Sequence, residues 1–271
     1  MIKTANLYTT ITAHSGCEGT PMDSIESVEF GILYEADIIE VDVRADKNGK
    51  LVLSHNRDEQ QLYSDSAGLT QVFELIQIEK RICLNCDIKE TKIIPNLLET
   101  ASQYGITEDR LYLSGSVTPE LLREIPEIRQ KCRVQWNIEE AMVPLVKCKL
   151  IEDDKEHLCG LLHTDPWRVI REVVPNPDVY IADLVRMASE LSVTTFNIPE
   201  QYASKERVLF FHANGIMLSV WTVNEPDEIT RLLQLGVRNI TTKNIRIAKK
   251  LQSDFHRKVK PVRDRISKGE D

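Results

Sequence analysis

The sequence lacks the features that mark membrane, secreted and nucleic-acid-binding proteins. No apolar run approaches the roughly 18 residues of a membrane span, and the N-terminus lacks the apolar block and cleavage site of a signal peptide. The 271 residues carry a net charge of −8, whereas binding to phosphate backbones requires positive surface. Six cysteines are too few for a disulfide scaffold in a chain of this length. We therefore expect a soluble, cytoplasmic protein with no nucleic-acid partner and no stable membrane insertion.

Glycine-rich phosphate loops are also missing, because no G-x-G-x-x-G or G-K-[ST] motif follows the first predicted strand. What is present is an alternation of short β-branched runs with amphipathic segments. We predict eight strands, at 10–13, 37–43, 82–88, 110–114, 133–137, 193–197, 216–223 and 237–241. This alternation indicates an α/β fold with a parallel sheet, and eight units favour a closed (β/α)8 TIM barrel. A doubly wound open sheet is the alternative, and 138–177 is predicted to form short helices and loops.

The barrel is expected to be a single domain over 1–252, followed by a basic tail over 253–271. Residues 243–271 contain ten Lys or Arg against four Asp or Glu. We interpret this charge as the solvated end of the last helix, predicted over 245–252. The alternative is a weak contact with anionic head groups or with a partner. The sequence carries no signal for the oligomeric state.

Residues 36–55 form the most informative stretch, A-D-I-I-E-V-D-V-R-A-D-K-N-G-K-L-V-L-S-H. Glu40 and Asp42 interrupt an apolar strand two residues apart, so both carboxylates point to the same face of the sheet. Asn48-Gly49 predicts a hairpin with a type I′ turn. The returning strand ends in His55 and carries its imidazole back toward the carboxylates. A shorter signal precedes this stretch, where Asp23 and Glu26 are predicted to form a helix capping box.

Active sites of TIM barrels lie at the carboxyl ends of the strands, which provides a test of the candidate residues. Six titratable side chains fall at this edge of the predicted strands: His14, Glu40, Asp42, His55, Asp87 and Lys89. An acidic cluster with two histidines at one edge is typical of a catalytic or metal site.

Each candidate also has a structural interpretation. Glu40 and Asp42 would then be acids paired with Arg44 or Lys89, and Lys89 would only neutralise Asp87. His14 would be a hydrogen-bonded core histidine. Trp221, on the seventh predicted strand, lines either the barrel core or the wall of a pocket.

Several motifs resemble the glycerophosphodiester phosphodiesterase family. A-H-S-G, P-M-D-S and the 36–55 stretch are similar to the family's H-R-G, P-E-N-T and G-A-D-x-I-E-x-D-V-x-x-T-K-D-G-x-x-V-x-H-D. L-N-C-D-I-K resembles L-N-[IV]-E-[IVL]-K, and V-W-T-V-N with L-G-V-R-N-I-T-T resembles the last two strands. The resemblance follows nearly the whole chain in order and implies the same barrel.

The resemblance also implies roles for individual residues. The family's metal carboxylates fall on Glu40, Asp42 and Asp87, and its two catalytic histidines fall on His14 and His55. Oxygen ligands suit Mg²⁺ or Ca²⁺. The implied activity is a metal-dependent phosphoric diester hydrolase that cleaves small glycerophosphodiesters to sn-glycerol 3-phosphate and an alcohol.

Substrate contacts are expected from Lys89, Ser15 and Trp221. The sequence departs from the family pattern in this part of the site, since Ser15 replaces the arginine of H-R-G and Met22 replaces the glutamate of P-E-N-T. Asn56 replaces an aspartate, and the insert that follows the hairpin is reduced to 56–69. Glu18 is a candidate for a replacement carboxylate.

Two alternative functions remain open. One is a related barrel enzyme that acts on phospholipid or lysophospholipid and releases a cyclic phosphate. The other is a barrel without catalytic activity that only binds phosphorylated ligands, for which the replacements at Ser15 and Met22 are the motivation.

Overall fold

Parallel strands form a closed ring in the computed structural model, which describes residues 8–56, 66–163, 166–173 and 180–267. The strands in these residues are β1 (Thr10–Ala13), β2 (Ile38–Ala45), β3 (Leu51–Leu53), β4 (Cys83–Ile88), β5 (Leu111–Gly115), β6 (Arg133–Val134), β7 (Trp136–Asn137), β8 (Thr195–Pro199), β9 (Met217–Trp221) and β10 (Asn239–Thr242). Their order is β6-β5-β4-β2-β1-β10-β9-β8-β7, and β3 pairs antiparallel with β2.

The strands β6 and β7 are two parts of one barrel strand, separated by a single residue. Gln135 donates its backbone N–H to the carbonyl of Leu113 at 2.9 Å, so the chain continues along β5 through the interruption. The ring therefore consists of eight parallel positions with the β2–β3 hairpin outside them. The predicted α/β (β/α)8 TIM barrel is confirmed, and the open sheet is excluded.

Helices surround the ring. They are α1 (Ile25–Leu33), α2 (Leu69–Ile78), α3 (Ile94–Gln103), α4 (Pro119–Glu124), α5 (Ile128–Lys131), α6 (Ile138–Glu152), α7 (Pro166–Val173), α8 (Ile181–Glu190), α9 (Lys205–Ala213), α10 (Pro226–Leu235) and α11 (Ile245–Ser267). The apolar core lies between strands and helices, where Trp136 stacks on Phe196 with ring centroids 5.7 Å apart. Among the described helices, none combines the length and apolar character needed to cross a membrane.

The interior of the ring is polar. Side chains alternate along each strand, so apolar residues face the helices while polar residues face the barrel axis. In β2, Ile39 packs toward Gly31 of α1, whereas Glu40 and Asp42 face inward. Buried polar residues of the other strands include Thr12, Asn85, Ser114, Asn197, Ser219, Asn239 and Thr241. This interior accommodates charged groups because polar partners are available.

Two local predictions are wrong. The β2–β3 turn is not type I′, because Gly49 has φ 81° while Asn48 is not in the left-handed region; Asp46 Oδ1 instead accepts the N–H groups of Asn48 and Lys50, both at 2.8 Å. Helix α1 is capped by Ser24, whose hydroxyl accepts from the N–H of Ser27 at 3.1 Å. Asp23 is free for a different role.

The segment predicted as short helices and loops begins with a long helix. Helix α6 covers 15 residues and contains Pro144. Met142, Val146 and Leu150 are buried at a spacing of four residues, as expected for one helix face. Pro144 obscured this periodicity, because a proline inside a helix removes one backbone hydrogen bond and predicts a break.

The last helix does not end at the predicted domain boundary, because α11 continues from Ile245 to Ser267 without a break at 252. Asp37, at the start of β2, binds its first half. Lys249 Nζ lies 3.0 Å from Asp37 Oδ1, and Gln252 Nε2 donates to Asp37 Oδ2 at 2.8 Å. The beginning of the expected tail is thus the continuation of a docked helix.

Gly115 at the end of β5 provides a test of the close packing beside Asp87. Its φ is 77°, and an added Cβ would lie far inside contact distance of Asp87 Oδ1 and the backbone of Ile88. Gly105 has a similar φ of 67° with nothing within 4 Å of an added Cβ. We expect Gly105→Ala to lose about 1 kcal/mol of unfolding free energy and Gly115→Ala about 2 kcal/mol more. Urea unfolding measures both, and equal losses would contradict the packing argument.

Candidate functional site

A cavity of about 270 Å³ opens at the carboxyl ends of the strands. Seven of the eight predicted site residues line it: His14, Glu40, Asp42, His55, Asp87, Lys89 and Trp221. These residues lie in or directly after β1, β2, β3, β4 and β9. The site therefore depends on the closed ring and not on one contiguous segment. Ser15, the eighth, is not among the lining residues.

Three carboxylates are brought together by strand register. In the β2–β4 pair, Asp42 lies opposite Asp87 and Glu40 lies opposite Asn85. Ligand atoms of Glu40, Asp42 and Asp87 all lie within 4.8 Å of one another. Asp87 is also fixed from the other side, because Ser114 Oγ of β5 donates to its Oδ1 at 3.0 Å.

Lys89, directly after β4, lies among these acids. Its Nζ is 2.8 Å from Asp42 Oδ1 and 2.5 Å from Asp87 Oδ2. Burial alone lowers the pKa of Lys89, but the charges of Asp87 and Asp42 outweigh burial and raise that pKa. Lys89 is therefore charged, and it neutralises part of the cluster. Arg44, the other cation considered for these acids, instead donates to Glu90 and to the carbonyl of His55.

The remaining negative charge is poorly compensated. Burial raises the pKa of the Glu40 carboxyl, and the charge of Asp87 raises it further. The pKa of the Asp42 carboxyl is raised by burial and then by the charge of Glu40. One hydrogen bond lowers the pKa of Glu40, since the Ser15 N–H donates to Glu40 Oε2 at 3.0 Å. The cluster thus favours additional positive charge.

These residues fit a hard divalent cation. Oδ2 of Asp42 is buried and has no hydrogen-bond partner among the described residues, so one oxygen of this carboxylate lacks a compensating contact. The donor atoms are all carboxylate oxygens, which Mg²⁺ and Ca²⁺ prefer. Glu40, Asp42 and Asp87 are the residues that would hold such an ion.

His14 follows β1 and presents a defined face to the cavity. Its Nδ1 lies 2.8 Å from the carbonyl oxygen of Ser15. A carbonyl oxygen only accepts, so Nδ1 carries a proton, and Nε2 of the neutral ring has the free lone pair. The backbone is fixed as well, because the His14 N–H donates to the carbonyl of Thr242 at 2.9 Å.

His55 stands at the more exposed edge of the cavity, just after β3. Asp23 links it to the β1 loop: Asp23 Oδ2 accepts the His55 backbone N–H at 2.8 Å, and its Oδ1 accepts from Ser15 Oγ at 3.2 Å. The His55 ring contacts Asn56 Oδ1 through Nδ1 at 3.1 Å. Asp23 thereby holds the two histidine-bearing segments together.

The other predicted groups have varied placements. The hydroxyl of Ser15 faces Asp23, and the residue is buried beside the cavity. Glu18 accepts the backbone N–H of Arg246 at 3.0 Å, so its carboxylate is directed to α11 and not to the cluster. Trp221 lines the cavity, and its Nε1 is buried without a hydrogen-bond partner in the described part of the chain. Most of the reduced insert after the hairpin, 57–65, lies outside the described residues.

Two acids were missed by the sequence analysis. Glu139 and Glu140, in the first turn of α6, also line the cavity. They follow β7, so the rule that sites lie at carboxyl ends of strands would have found them. The expectation of irregular structure after 137 concealed this signal.

Comparisons with known proteins agree with this architecture. The sequence profile of the "Glycerophosphoryl diester phosphodiesterase family" matches residues 161–247. A "Glycerophosphodiester phosphodiesterase" of Caldanaerobacter subterraneus is 25% identical over 260 residues, which cover 87% of this chain and 94% of the relative.

Two solved structures share the fold. A glycerophosphodiester phosphodiesterase from Parabacteroides distasonis has a TM-score of 0.65 at 16% identity, covering 93% of this chain and 99% of its own. A phosphodiesterase from Oleispira antarctica, solved with the product sn-glycerol-3-phosphate, has a TM-score of 0.64 at 14% identity and covers 91% and 96%. Through the matched segment, the curated relative from Caldanaerobacter subterraneus over most of its length and the shared barrel, the chain is similar to the glycerophosphoryl diester phosphodiesterase family.

Proposed function

We propose that this protein is a metal-dependent phosphoric diester hydrolase that cleaves glycerophosphodiesters to sn-glycerol 3-phosphate and an alcohol. The observation that carries the proposal is the convergence of three carboxylates, one lysine and two histidines on a single cavity. The product bound to the Oleispira antarctica neighbour supports the substrate class.

The two histidines are proposed as the acid–base pair. Nε2 of His14 has the free lone pair required to take a proton, because its Nδ1 is engaged by the Ser15 carbonyl. We assign the attacking oxygen to the 2-hydroxyl of the glycerol. One imidazole removes its proton as the bond to phosphorus forms. The other protonates the alcohol oxygen as its bond to phosphorus breaks, and water then opens the cyclic phosphate.

Glu40, Asp42 and Asp87 are proposed to hold Mg²⁺ or Ca²⁺, which supplies a Lewis acid for the phosphoryl oxygens. Lys89 is proposed to contact the phosphate. It lies within 2.8 Å of two of these carboxylates, so its ammonium is next to the position where a phosphoryl group would approach. Trp221 is proposed as a wall of the substrate pocket.

The histidine assignment predicts the outcome of two substitutions. We expect His14→Ala and His55→Ala each to lower kcat by about 100-fold or more, because each removes one proton-transfer group. Release of glycerol phosphate from glycerophosphoethanolamine, followed by phosphorus NMR, measures this. His157→Ala is the control, because His157 is exposed on a turn outside the cavity.

Full activity of His55→Ala would show that the acid–base pair is misassigned. The NMR signal also separates the alternative lyase, because a cyclic phosphate that persists at the end of the reaction contradicts the hydrolase.

The carboxylate cluster predicts that cation binding strengthens as the pH rises. Because burial and mutual repulsion raise the pKa of Glu40 and Asp42, cation binding must expel protons. The same raised pKa values mean that ionisation of Glu40 and Asp42 destabilises the cation-free fold, and this contribution grows as the pH rises from about 4 toward 8. We expect Mg²⁺ or Ca²⁺ to bind about tenfold more tightly at pH 8 than at pH 6, measured by calorimetry in two buffers.

Asp42→Asn should abolish most of this binding. Glu18→Gln is the matched control, since the Glu18 carboxylate is held by α11. Affinity that is equal at the two pH values would contradict the assigned ligands.

A further inference from the structure

The cavity contains two acids for which the proposed reaction has no use. Glu139 and Glu140 line it from the first turn of α6, yet they do not belong to the cluster of described acids with ligand atoms within 4.8 Å of one another. They therefore extend the acidic surface beyond the cation site.

Glu139 is held by a chain of hydrogen bonds that crosses the barrel interior. Ser219 Oγ donates to Asn197 Oδ1 at 2.8 Å, and Asn197 Nδ2 donates to Asn137 Oδ1 at 2.9 Å. The amide of Asn137 is thereby oriented, so its Nδ2 donates to Glu139 Oε1 at 3.1 Å. The carboxylate is positioned by the fold and not by solvent.

The second oxygen of Glu139 is unused. Oε2 is buried and has no hydrogen-bond partner among the described residues, and the whole residue is only 7% exposed. A buried carboxylate oxygen without a donor is costly, and such atoms are normally paired. A carboxyl oxygen without a partner, on a side chain that lines a cavity, points to a ligand that supplies a donor.

The charge balance indicates the sign of that ligand. The three acids of the cation site are balanced by Lys89 and the proposed divalent cation. Lys89 is the one lysine or arginine that lines the cavity in the part of the chain described. Glu139 and Glu140 therefore add two carboxyl groups with no cation opposite them to a site that must also accept a phosphodiester anion.

We propose that Glu139 and Glu140 form a subsite for a cationic amine, so that the enzyme selects phosphodiesters in which the alcohol carries a protonated amino group. This inference rests on the proposed function and deepens it by assigning the class of the departing alcohol. A zwitterionic substrate resolves the imbalance, because its phosphate meets the cation site while its ammonium meets the two acids.

The chemistry of the lining fits an ammonium group. Glu139 Oε2 can accept one N–H, and charge-assisted hydrogen bonds of this kind are the stronger ones. Burial, then the charges of Glu140 and Asp87, raise the pKa of Glu139 to about 7, which reflects a carboxylate without an opposite charge. The ring of Trp221 lines the same cavity, and an indole face attracts cations.

The test compares two substrates that differ in one charge. Glycerophosphoethanolamine carries an aminoethyl ester, and its n-propyl analogue keeps the phosphate anion but has an uncharged methyl group in place of the ammonium, with nearly the same shape. We expect kcat/KM of the wild-type enzyme to favour the aminoethyl diester by about tenfold or more. Glycerophosphocholine serves as a third substrate, because its trimethylammonium group carries the same charge but has no N–H to donate. We expect its kcat/KM to exceed that of the propyl diester by less than that of the aminoethyl diester does.

Two variants assign the preference to residues. Glu139→Gln and Glu140→Gln should each reduce the aminoethyl-to-propyl ratio, with the larger loss at Glu139. Glu152→Gln, at the exposed far end of the same helix, should leave the ratio unchanged. Thermal unfolding shows whether the variants are folded, and Glu140→Gln keeps the test available if Glu139→Gln does not fold.

A binding measurement provides a second readout without turnover. In the His14→Ala background, calorimetry should give a Kd about tenfold lower for the aminoethyl diester than for the propyl diester, and Glu139→Gln should remove this difference. Equal kcat/KM for the two substrates overturns the inference while the proposed function stands, and so does a ratio that Glu139→Gln leaves intact. If none of the diesters is hydrolysed, the proposed function is overturned. The binding measurement then tests the subsite independently.

Discussion

The site depends on one ion bridge, in which the ammonium of Lys89 lies between Asp42 and Asp87. Three carboxylates on adjacent strands lie in a region that water reaches poorly, and burial, followed by their mutual repulsion, raises the pKa of two of them. Lys89 offsets part of this cost and allows the acids to stay close without a bound ion. The bridge thus preserves a cluster that fits a cation, and it provides the positive charge that we propose for contact with the phosphate.

The barrel makes this cluster possible because the outer and inner surfaces of its strands have different roles. The outward side chains of the strands form the apolar core with the helices, while the inward side chains are mostly polar and bind one another. Stability is concentrated in the outer layer, so polar groups near the axis can serve ligands. Close backbone approach adds precision, since Gly115 leaves space for Asp87 where any side chain would displace it.

The sequence predicted the parts of the site that follow a simple period. Glu40 and Asp42 are two residues apart on an apolar strand, and His14, Asp87 and Lys89 each end or follow a predicted strand. Less regular features were predicted incorrectly or missed. The proline in α6 hid Glu139 and Glu140, because it breaks the periodicity on which prediction depends.

Turn and cap chemistry was the other source of error. Asp46 accepts the N–H groups of the turn, and Ser24, not Asp23, caps helix α1. The carboxylate of Asp23 therefore binds Ser15 and His55 instead. This role required the fold, because the two segments that Asp23 connects are 40 residues apart in the chain. Sequence neighbours alone do not indicate such a bridge.

The pairing of β1 with β10 has a consequence for how the protein is made. Thr10 lies opposite Asn239 and Ala13 opposite Thr242, and the His14 N–H is bound by the carbonyl of Thr242. The first strand emerges early in synthesis but remains an open edge until the last strand is available, and such distant pairing is slow. Among the barrel strands, β1 therefore waits longest for its partner during translation. A chain that ends before β10 would leave the edge of β1 unpaired, and such an edge can pair with another chain and lead to aggregation.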